Sequence, residues 1–396
     1  MTAPSFDLLN AARAELPRAV ALRRRIHQHP ELGLDLPKTT EALLESLADL
    51  GLELAKSRKT TGVVARLRGA RSGRAVLLRA DMDALPMPED TGLPFASQTP
   101  GRMHACGHDA HTAMLATAAR LLVARRESLD GDVLFFFQPG EEGFAGARIM
   151  LGESLFDPRE VERAFALHVD PRTPVGHTLC RAGAMLASAD SFTISIMGRG
   201  GHASMPHDAL DPIPVACEIV GAIQTFVTRR IDAFDPAVIS VTKISAGTTG
   251  NVIPESAEML GTIRTTSPKA RERAQSGLRQ IAEGVAAAHG AKANVSIVQG
   301  YPVTVNDAEQ SAFARSVVSE LLGDSAYIEL PSPLMGAEDF SFVLEQIPGA
   351  LLFLGVLPDD PSLRAPCHSN RMVVNEDGMA HGIALHAALA LHALAR

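Results

Sequence analysis

The sequence predicts an α/β protein with two domains, and three observations support this fold class. Its 396 residues exceed the size at which one hydrophobic core usually stops growing, and an apolar content of 46% can fill two cores. In the first part of the chain, short and nearly continuous apolar runs alternate with helical patterns, which is typical of a parallel sheet covered by helices. From about Ser188, polar and apolar residues alternate instead, as in antiparallel strands with one exposed face.

The first pattern predicts a sheet whose strands are separated by helices, including one helix at Ala110–Arg126. After Tyr301 the same alternation resumes, and it ends in a helix at Gly378–Ala395. In such sheets the functional residues cluster at the carboxyl ends of the strands, so polar motifs at those positions are the candidate site residues. The predicted strands are Thr61–Leu67, Ala75–Arg79, Val133–Phe137, Ala164–Leu167 and Leu351–Val356.

The second pattern predicts a βαββαβ order, which is that of a ferredoxin-like unit. Its predicted helices are Pro212–Arg230 and Pro268–His289. We therefore expect a catalytic domain of three α/β/α layers at residues 1–187 and 301–396, into which residues 188–300 are inserted as a second domain. The predicted strands of this second domain are Ser191–Met197, Ala237–Ser245, Glu258–Thr265 and Ala293–Val298.

Charge and composition narrow the class of function. The net charge is −8 and the basic residues are scattered, which argues against a nucleic-acid surface. Residues 1–10 lack the pattern of a signal peptide, and no stretch approaches the roughly 20 apolar residues of a membrane span, so a cytoplasmic protein is expected. The four cysteines are widely spaced, unlike a disulfide framework: Cys106, Cys180, Cys217 and Cys367. A cysteine with a special role would then be a ligand or a nucleophile.

The densest motif is Met103–His111, MHACGHDAH, at the start of a predicted helix. Residues two apart in an extended segment point to the same side, so Cys106 and His108 can face one centre. Thiol and imidazole groups are preferred ligands of zinc and similar ions. The alternative interpretation is a buried cysteine beside polar groups that cap a helix.

A second motif places two adjacent acids, Glu141 and Glu142, directly after the predicted strand Val133–Phe137. Adjacent side chains cannot easily face the same way. One acid can therefore bind a metal while the other acts as general base toward a water molecule. The alternative is a solvated acidic turn, which the preceding apolar strand makes a weaker interpretation.

Two histidines and two aspartates complete the candidate site. His168 is predicted to follow a strand, and His368 lies near the end of the chain; both are candidate ligands. Asp81 and Asp83 follow another predicted strand, where they would accept N–H bonds from ligand imidazoles. The sequence does not decide whether either aspartate binds metal itself.

Other chemistries have little support in the sequence. It contains no H-E-x-x-H, G-x-S-x-G, Walker A or G-x-G-x-x-G motif. A thiol hydrolase that uses Cys106, activated by His108 or His111, is the main rival, although it would leave the Glu141–Glu142 pair without a role. A non-catalytic protein that binds metal or an acylated amino acid is the other alternative.

Taken in order, the motifs resemble the hippurate hydrolase, aminoacylase and auxin-conjugate hydrolase group of co-catalytic metallopeptidases. The resemblance implies hydrolysis of the amide bond of an N-acyl amino acid, with a dipeptidase, a carboxypeptidase or an N-acetyl-diaminopimelate deacetylase as alternatives at the same site. The motifs cover almost the whole chain: Leu22–His27, Pro30–Gly33, Arg79–Pro86, Met103–His111, Gln138–Gly143, Gly198–Ser204, Asn251–Pro254, Gly261–Thr265 and Gly336–Ser341.

The resemblance also implies roles for individual residues. Glu141 would deprotonate a metal-bridging water and return the proton to the leaving amine. The inserted domain resembles a lid or dimerisation domain, so a homodimer through this domain is expected. Its His202 would contact the scissile carbonyl, and Asn251 and Arg264 would approach the substrate carboxylate. Two divalent ions (zinc, manganese, cobalt or nickel) would be bound by Cys106, His108, Glu142, His168 and His368.

Overall fold

The computed structural model describes residues 4–71 and 73–395, which form two compact units. The first unit comprises Met1–Met185, Val305–Ser332 and Asp339–Arg396, of which residues 1–3, 72 and 396 lie outside the description. The second unit comprises Leu186–Thr304 and Pro333–Glu338. The second unit thus includes residues 186–187, 301–304 and 333–338, which were predicted to belong to the catalytic domain.

The chain contributes its helices and strands in the following order. Residues 4–186 form α1 (Pro4–Gln28), α2 (Pro37–Leu47), β1 (Glu53–Lys56), β2 (Val63–Leu67), β3 (Ala75–Asp81), α3 (His108–Val123), β4 (Asp132–Gln138), α4 (Gly146–Leu151), β5 (Val161–Asp170), β6 (Thr178–Cys180) and β7 (Gly183–Leu186). Residues 190–299 form β8 (Asp190–Met197), β9 (Gly201–His202), α5 (Pro212–Arg230), β10 (Ala237–Ala246), β11 (Val252–Ile253), β12 (Ser256–Thr265), α6 (Pro268–Ala288) and β13 (Lys292–Gln299). The remainder forms β14 (Thr304–Asn306), α7 (Ala308–Leu322), β15 (Tyr327–Glu329), α8 (Ser341–Leu344), β16 (Gly349–Gly355) and α9 (Gly378–Ala393). Among the described residues, no helix is both long and apolar enough to cross a membrane.

The first unit is built on an eight-stranded mixed sheet in the order β1-β2-β4-β3-β5-β16-β6-β15. Its four central strands, β4, β3, β5 and β16, run parallel to one another. Every residue of β3, β4 and β16 is buried, which explains why these strands are continuous apolar runs in the sequence. Because parallel strands end at the same edge, the polar residues after them are brought together there.

Helices cover both faces of this sheet, as alternate side chains of β4 show. Phe135 and Phe137 belong to the core formed with α1, α3, α7 and α9. Phe136 points the other way and meets Phe156 with ring centroids 6.0 Å apart. Gln138, on that second face, donates to Asp339, which also accepts the backbone N–H of Ala147 in α4. The three-layer α/β/α prediction is therefore confirmed.

The second unit contains a four-stranded antiparallel sheet in the order β10-β12-β8-β13, with α5 and α6 packed against it. Along β8, Phe192, Ile194 and Ile196 are buried while the residues between them are not, which matches the alternation in the sequence. Asp211 and Ser267 cap the two helices by accepting backbone N–H groups, and a proline follows each cap. The observed order of these elements is the predicted βαββαβ, with the short pair β9–β11 added.

Candidate metal centre

The five predicted ligands lie together in the first unit, at the carboxyl edge of its central strands. Cys106 lies two residues before α3, His108 is the first residue of that helix, and Glu142 lies in the loop after β4. His168 is predicted from sequence to follow its strand, but the structure places it inside β5, because the strand continues to Asp170 through pairing with β16. His368 lies in the loop before α9.

The ligand atoms of these five residues form two groups that share one sulfur. The donors of Cys106, His108 and His168 lie within 4.8 Å of one another, and so do those of Cys106, Glu142 and His368. Cys106 Sγ is 3.3 Å from His168 Nε2, and Glu142 Oε1 is 3.3 Å from His368 Nε2. Ligands held about 2.0–2.3 Å from a tetrahedral zinc ion are roughly 3.3–3.8 Å apart, so this spacing suits bound cations. The shared thiol suits a bridge between two of them.

Unpartnered buried atoms at the centre also fit a metal. Neither ring nitrogen of the buried His108 has a hydrogen-bond partner, and Glu142 Oε1 lacks an aligned one. His108 Nε2 is 3.5 Å from Asp81 Oδ2, and its Nδ1 is 3.6 Å from Asp83 Oδ1. Burial opposes the charged imidazole, but the carboxylates outweigh it and hold the pKa of His108 well above its usual value. Buried polar groups are nearly always partnered, so the negative surroundings and the free donors favour a cation here.

Hydrogen bonds of the ring nitrogens fix the orientation of His111 and His168. His111 Nε2 accepts the backbone N–H of Val169 at 2.9 Å, so its Nδ1 carries the proton and donates to Asp81 Oδ1 at 2.6 Å. Both nitrogens of His111 are therefore occupied, although it lies within 4.8 Å of His108 and Asp81. His168 Nδ1 donates to the carbonyl oxygen of Val169 at 2.8 Å, which leaves its Nε2 lone pair directed toward Cys106.

Asp83 fixes the loop that carries the two adjacent acids. Its two oxygens accept the backbone N–H groups of Glu141 and Glu142 at 2.9 and 3.0 Å. Gly140, just before this pair, has a φ of +75°, and a Cβ there would lie 2.5 Å from Leu34 Cδ2. The tight glycine turn and the Asp83 bonds together fix the backbone that carries the two carboxylates, and one oxygen of each lies within 4.8 Å of a His108 nitrogen. The observed hydrogen bonds of Asp83 thus go to this backbone, while the predicted partner imidazole of His108 lies at 3.6 Å.

Two unusual backbone positions bring His108 and His368 to the centre. Gly107, between Cys106 and the first residue of α3, has a φ of +83°, and a Cβ there would lie 2.4 Å from Val169 Cγ2. This position therefore requires glycine. His368 has a φ of +66°, which side-chain-bearing residues rarely adopt. Its backbone N–H donates to Ala105 O at 2.7 Å and holds the segment in place.

A buried hydrogen-bond network around Arg79, next to the metal centre, was not predicted from the sequence. The Arg79 guanidinium, inside β3, donates to Asp81 Oδ2 at 2.7 Å, Gln138 Oε1 at 2.9 Å and Asp339 Oδ1 at 2.9 Å. Burial raises the pKa of Asp81, but the charges of Arg79 and the neighbouring imidazoles outweigh it and hold that pKa well below its usual range. The available signal was a charged residue inside an apolar strand.

A second buried cluster, which we call the α1 cluster, consists of Arg23, His27, Glu89 and Asp109. Asp109 follows His108 in α3 but faces helix α1, where its Oδ2 accepts from Arg23 Nε and His27 Nδ1, both at 2.8 Å. His27 Nε2 donates to Glu89 Oε1 at 3.2 Å. Burial lowers the pKa of His27, but Asp109 and Glu89 outweigh it and raise that pKa above its usual value.

The other predicted site residues lie in the second unit. His202 is exposed in β9, where its Nδ1 accepts from Ser204 Oγ at 2.7 Å, and β9 pairs with β11 directly after Asn251. The backbone N–H of Ala203 donates to Asn251 O at 3.1 Å, so His202 and Asn251 lie on neighbouring segments. Arg264 lies separately, on β12, and has no ion pair among the described residues.

A cluster of thiol, imidazole and carboxylate donors at the carboxyl edge of an α/β sheet is typical of metal-dependent hydrolases of the α/β class. Residues 77–392 match the sequence pattern of Peptidase family M20/M25/M40, and the chain belongs to this family. It is therefore a hydrolase that acts on amide bonds.

Individual relatives cover nearly the whole chain. The chain is 38% identical to thermostable carboxypeptidase 1 of Saccharolobus solfataricus, over 94% of each sequence. It is 40% identical to N-acetylcysteine deacetylase of Bacillus subtilis, over 85% of this chain and 88% of that enzyme. Among solved structures, it superposes with a TM-score of 0.83 on the Bacillus subtilis YXEP protein, described as a dinuclear metal binding peptidase from the M20 family. That match has 35% identity and covers 96% of this chain and 99% of the other.

Proposed function

We propose that the chain is a metal-dependent amidohydrolase that cleaves N-acyl amino acids to a carboxylic acid and a free amino acid at a centre of two divalent cations. The observation that carries this proposal is the pair of donor groups that share Cys106. In the proposal, Cys106, His108 and His168 hold one cation, and Cys106, Glu142 and His368 hold the other. When bound, the two cations would lower the pKa of the attacking water and polarise the amide carbonyl.

Glu141 is the general base of the proposed reaction. It is buried, its backbone is fixed by Asp83, and its carboxylate oxygen lies within 4.8 Å of donors of His108 and Glu142. It takes a proton from the water that attacks the amide carbon, and it then delivers that proton to the leaving nitrogen as the C–N bond breaks. His111, Asp81 and Asp83 hold the ligands and the base in position through this cycle.

The substrate assignment draws on the relatives and on one arginine. The named deacetylase relative acts on an N-acetylated amino acid, and the carboxypeptidase relative makes short peptides the second candidate substrate class. Burial lowers the pKa of the half-buried Arg264, whose guanidinium has no ion pair among the described residues. Such a partly desolvated cation suits a substrate carboxylate, with Asn251 as a further contact. His202 contacts the scissile carbonyl in this proposal.

The proposal extends to assembly of the chain. Residues 188–300 serve as a dimerisation domain through which two copies associate in the cytoplasm. Analytical ultracentrifugation of the metal-loaded protein measures this directly, since a single species of 42.0 kDa contradicts it.

The thiol chemistry of Cys106 argues against a metal-independent cysteine hydrolase. Its hydrogen bond with Cys367 and its burial raise the pKa of the Cys106 thiol well above the usual value. Since the thiolate is the nucleophile, a thiol held protonated is a poor one. A bound cation would instead deprotonate the same sulfur and use it as a ligand.

The decisive experiment combines metal analysis with substrate release. Protein loaded with zinc, manganese, cobalt or nickel is assayed for two metals per chain and for cleavage of N-benzoylglycine, N-acetylcysteine and an unblocked dipeptide. Chelation should abolish cleavage and metal should restore it. Activity that survives chelation but is lost to a thiol alkylator would establish the cysteine mechanism instead.

Substitution of the base tests catalysis separately from binding. Glu141→Gln should lower kcat about 10²–10⁴-fold with unchanged metal content, because only the proton acceptor is lost. Glu283→Gln, at an exposed position on α6, is the matched control and should leave kcat unchanged. Unchanged turnover in Glu141→Gln contradicts the assigned base, whereas no turnover by the metal-loaded wild type favours a non-catalytic binding protein.

A further inference from the structure

Cys367 lies against the proposed metal centre but belongs to neither donor group. Its Sγ lies 4.0 Å from the carbonyl oxygen of Val169, and the preceding residue, His168, has its Nε2 3.3 Å from Cys106 Sγ. Both cysteines are free in the structure. The other two cysteines lack such a neighbour, since Cys180 is buried beside Asn306 and Cys217 is exposed on α5. A pair of adjacent free thiols therefore exists at one place only among the four cysteines of the chain.

The backbone holds the two thiols close. The N–H of His368 donates to Ala105 O at 2.7 Å. Cys367, just before His368, and Cys106, just after Ala105, therefore lie on segments that are joined by a backbone hydrogen bond. Formation of a disulfide requires two Cα atoms within roughly 7 Å and side chains that face each other. The backbone bond brings the two segments together without movement of α3. Both side chains face the same stretch of β5, with Cys106 Sγ 3.3 Å from His168 Nε2 and Cys367 Sγ 4.0 Å from Val169 O.

The geometry points to Cys106 and Cys367 as a thiol modification site, at which a peroxide converts the pair to a disulfide and disables the metal centre. The Cys367 sulfur, which is less buried than the 7% exposed Cys106, attacks one peroxide oxygen. The O–O bond breaks, and Cys367 becomes a sulfenic acid as one water leaves. The Cys106 thiol then passes its proton to the hydroxyl of the adjacent sulfenic acid as its sulfur attacks the Cys367 sulfur, so the S–O bond breaks and a second water leaves. The two thiols lose two electrons in total, and the peroxide gains them.

The consequence for the centre follows from the position of Cys106. Its sulfur is the one donor common to both groups, so a disulfide removes a ligand from both cations at once. This consequence rests on the proposed function, whereas formation of the disulfide does not. A thiol reductant reverses the modification, while Cys106 oxidised alone can proceed to sulfinic acid, which reductants do not reverse. Cys367 thus protects Cys106 from permanent loss.

The test treats reduced, metal-free, full-length protein with a small excess of hydrogen peroxide, followed by alkylation and peptide mass mapping. Wild type should yield a peptide pair cross-linked between Cys106 and Cys367, bind less than a tenth of its former zinc, and regain zinc binding after reduction. Cys367→Ser and Cys367→Ala should yield no cross-link and should fail to regain zinc binding after the same treatment. Cys217→Ser is the matched control and should behave as wild type.

Each contrary result has a separate meaning. Absence of the Cys106–Cys367 peptide, or equal recovery of zinc binding in the Cys367 variants and wild type, overturns the inference. A disulfide that leaves zinc content unchanged also overturns it, because Cys106 is then not a ligand. Absence of amide cleavage by the reduced, zinc-loaded enzyme contradicts the proposed function alone and leaves the peptide map as the measure of this inference.

Discussion

His108 and His27 are buried histidines on either side of Asp109, and each faces two carboxylates. His27 is hydrogen-bonded to both of its acids, at 2.8 and 3.2 Å. His108 stands 3.5 and 3.6 Å from its acids, Asp81 and Asp83, and has no hydrogen-bond partner. The neighbouring charges raise the pKa of both imidazoles against the effect of burial.

The difference between the two clusters lies in distance rather than in residue type. In the α1 cluster both ring nitrogens of His27 donate to carboxylates, so that cluster stabilises the fold. The metal centre leaves the nitrogens of His108 free among acids and a thiol, an arrangement that stabilises little until a cation joins it. Substitutions at the metal centre should therefore reduce metal binding more than stability, and substitutions in the α1 cluster should reduce stability more than metal binding.

The largest expected effect is at the metal centre. His108→Ala should lower kcat more than about 10³-fold and should remove the stabilisation that zinc gives to the wild type, which is about 4 kcal/mol at a concentration 1,000 times Kd. Urea unfolding with and without zinc measures this difference. The stability without zinc should change much less. If zinc stabilises the variant as much as the wild type, His108 is not a ligand.

The next largest effect is in the α1 cluster. His27→Leu should lower the free energy of unfolding by about 3–5 kcal/mol, because Asp109 and Glu89 lose a buried charged partner, yet it should retain two zinc ions per chain. Arg120→Gln, on the same helix α3, removes the partner of the exposed Asp49 and should cost less than about 1 kcal/mol.

The pH dependence of the His27→Leu deficit has a defined sign. The folded pKa of His27 is raised above its unfolded value, so its stabilisation is complete below about pH 6.5 and is lost as pH rises through the folded pKa. The deficit of the variant should therefore shrink in alkaline buffer. A deficit that grows with pH, or zinc binding lost in step with stability, would show that the α1 cluster is part of the centre.

The comparison of the two clusters also explains which site residues could be predicted from the sequence alone. Cys106, His108 and Glu142 follow strand ends or begin a helix, and local pattern is enough to single them out. The pairing of His27 could not be predicted in this way, because its partner Asp109 lies 82 residues away and no local pattern reveals such a pair. The contact of Arg79 with Asp339 spans 260 residues. The βαββαβ order was predictable because each strand and helix has its own period in the sequence.

A smaller effect is expected from the residue that orients the centre. His111→Gln should weaken zinc binding about 10–100-fold, since it removes the partner of Asp81 and Val169 without removing a ligand. Competition with a chromophoric chelator measures the change. His111→Ala should bind zinc more weakly than His111→Gln, because glutamine can replace one of the two hydrogen bonds and alanine cannot replace either. Equal affinity in His111→Gln and wild type would show that the ligands are held without His111.

The smallest effect concerns a buried histidine outside both clusters. Burial lowers the pKa of His386, on α9, to about 3, and neither ring nitrogen has a partner. Its folded pKa lies below its unfolded value, so the unfolded chain binds one more proton as pH falls below about 6.5. This residue should make stability decline by about 1.4 kcal/mol per pH unit between pH 6 and pH 4. In His386→Leu, the slope of unfolding free energy against pH should fall by that amount while zinc binding at neutral pH is unchanged. Since the variant removes only a proton-binding site and fills its space with an apolar side chain, an unaltered slope would mean that His386 is protonated in the folded protein and has a partner.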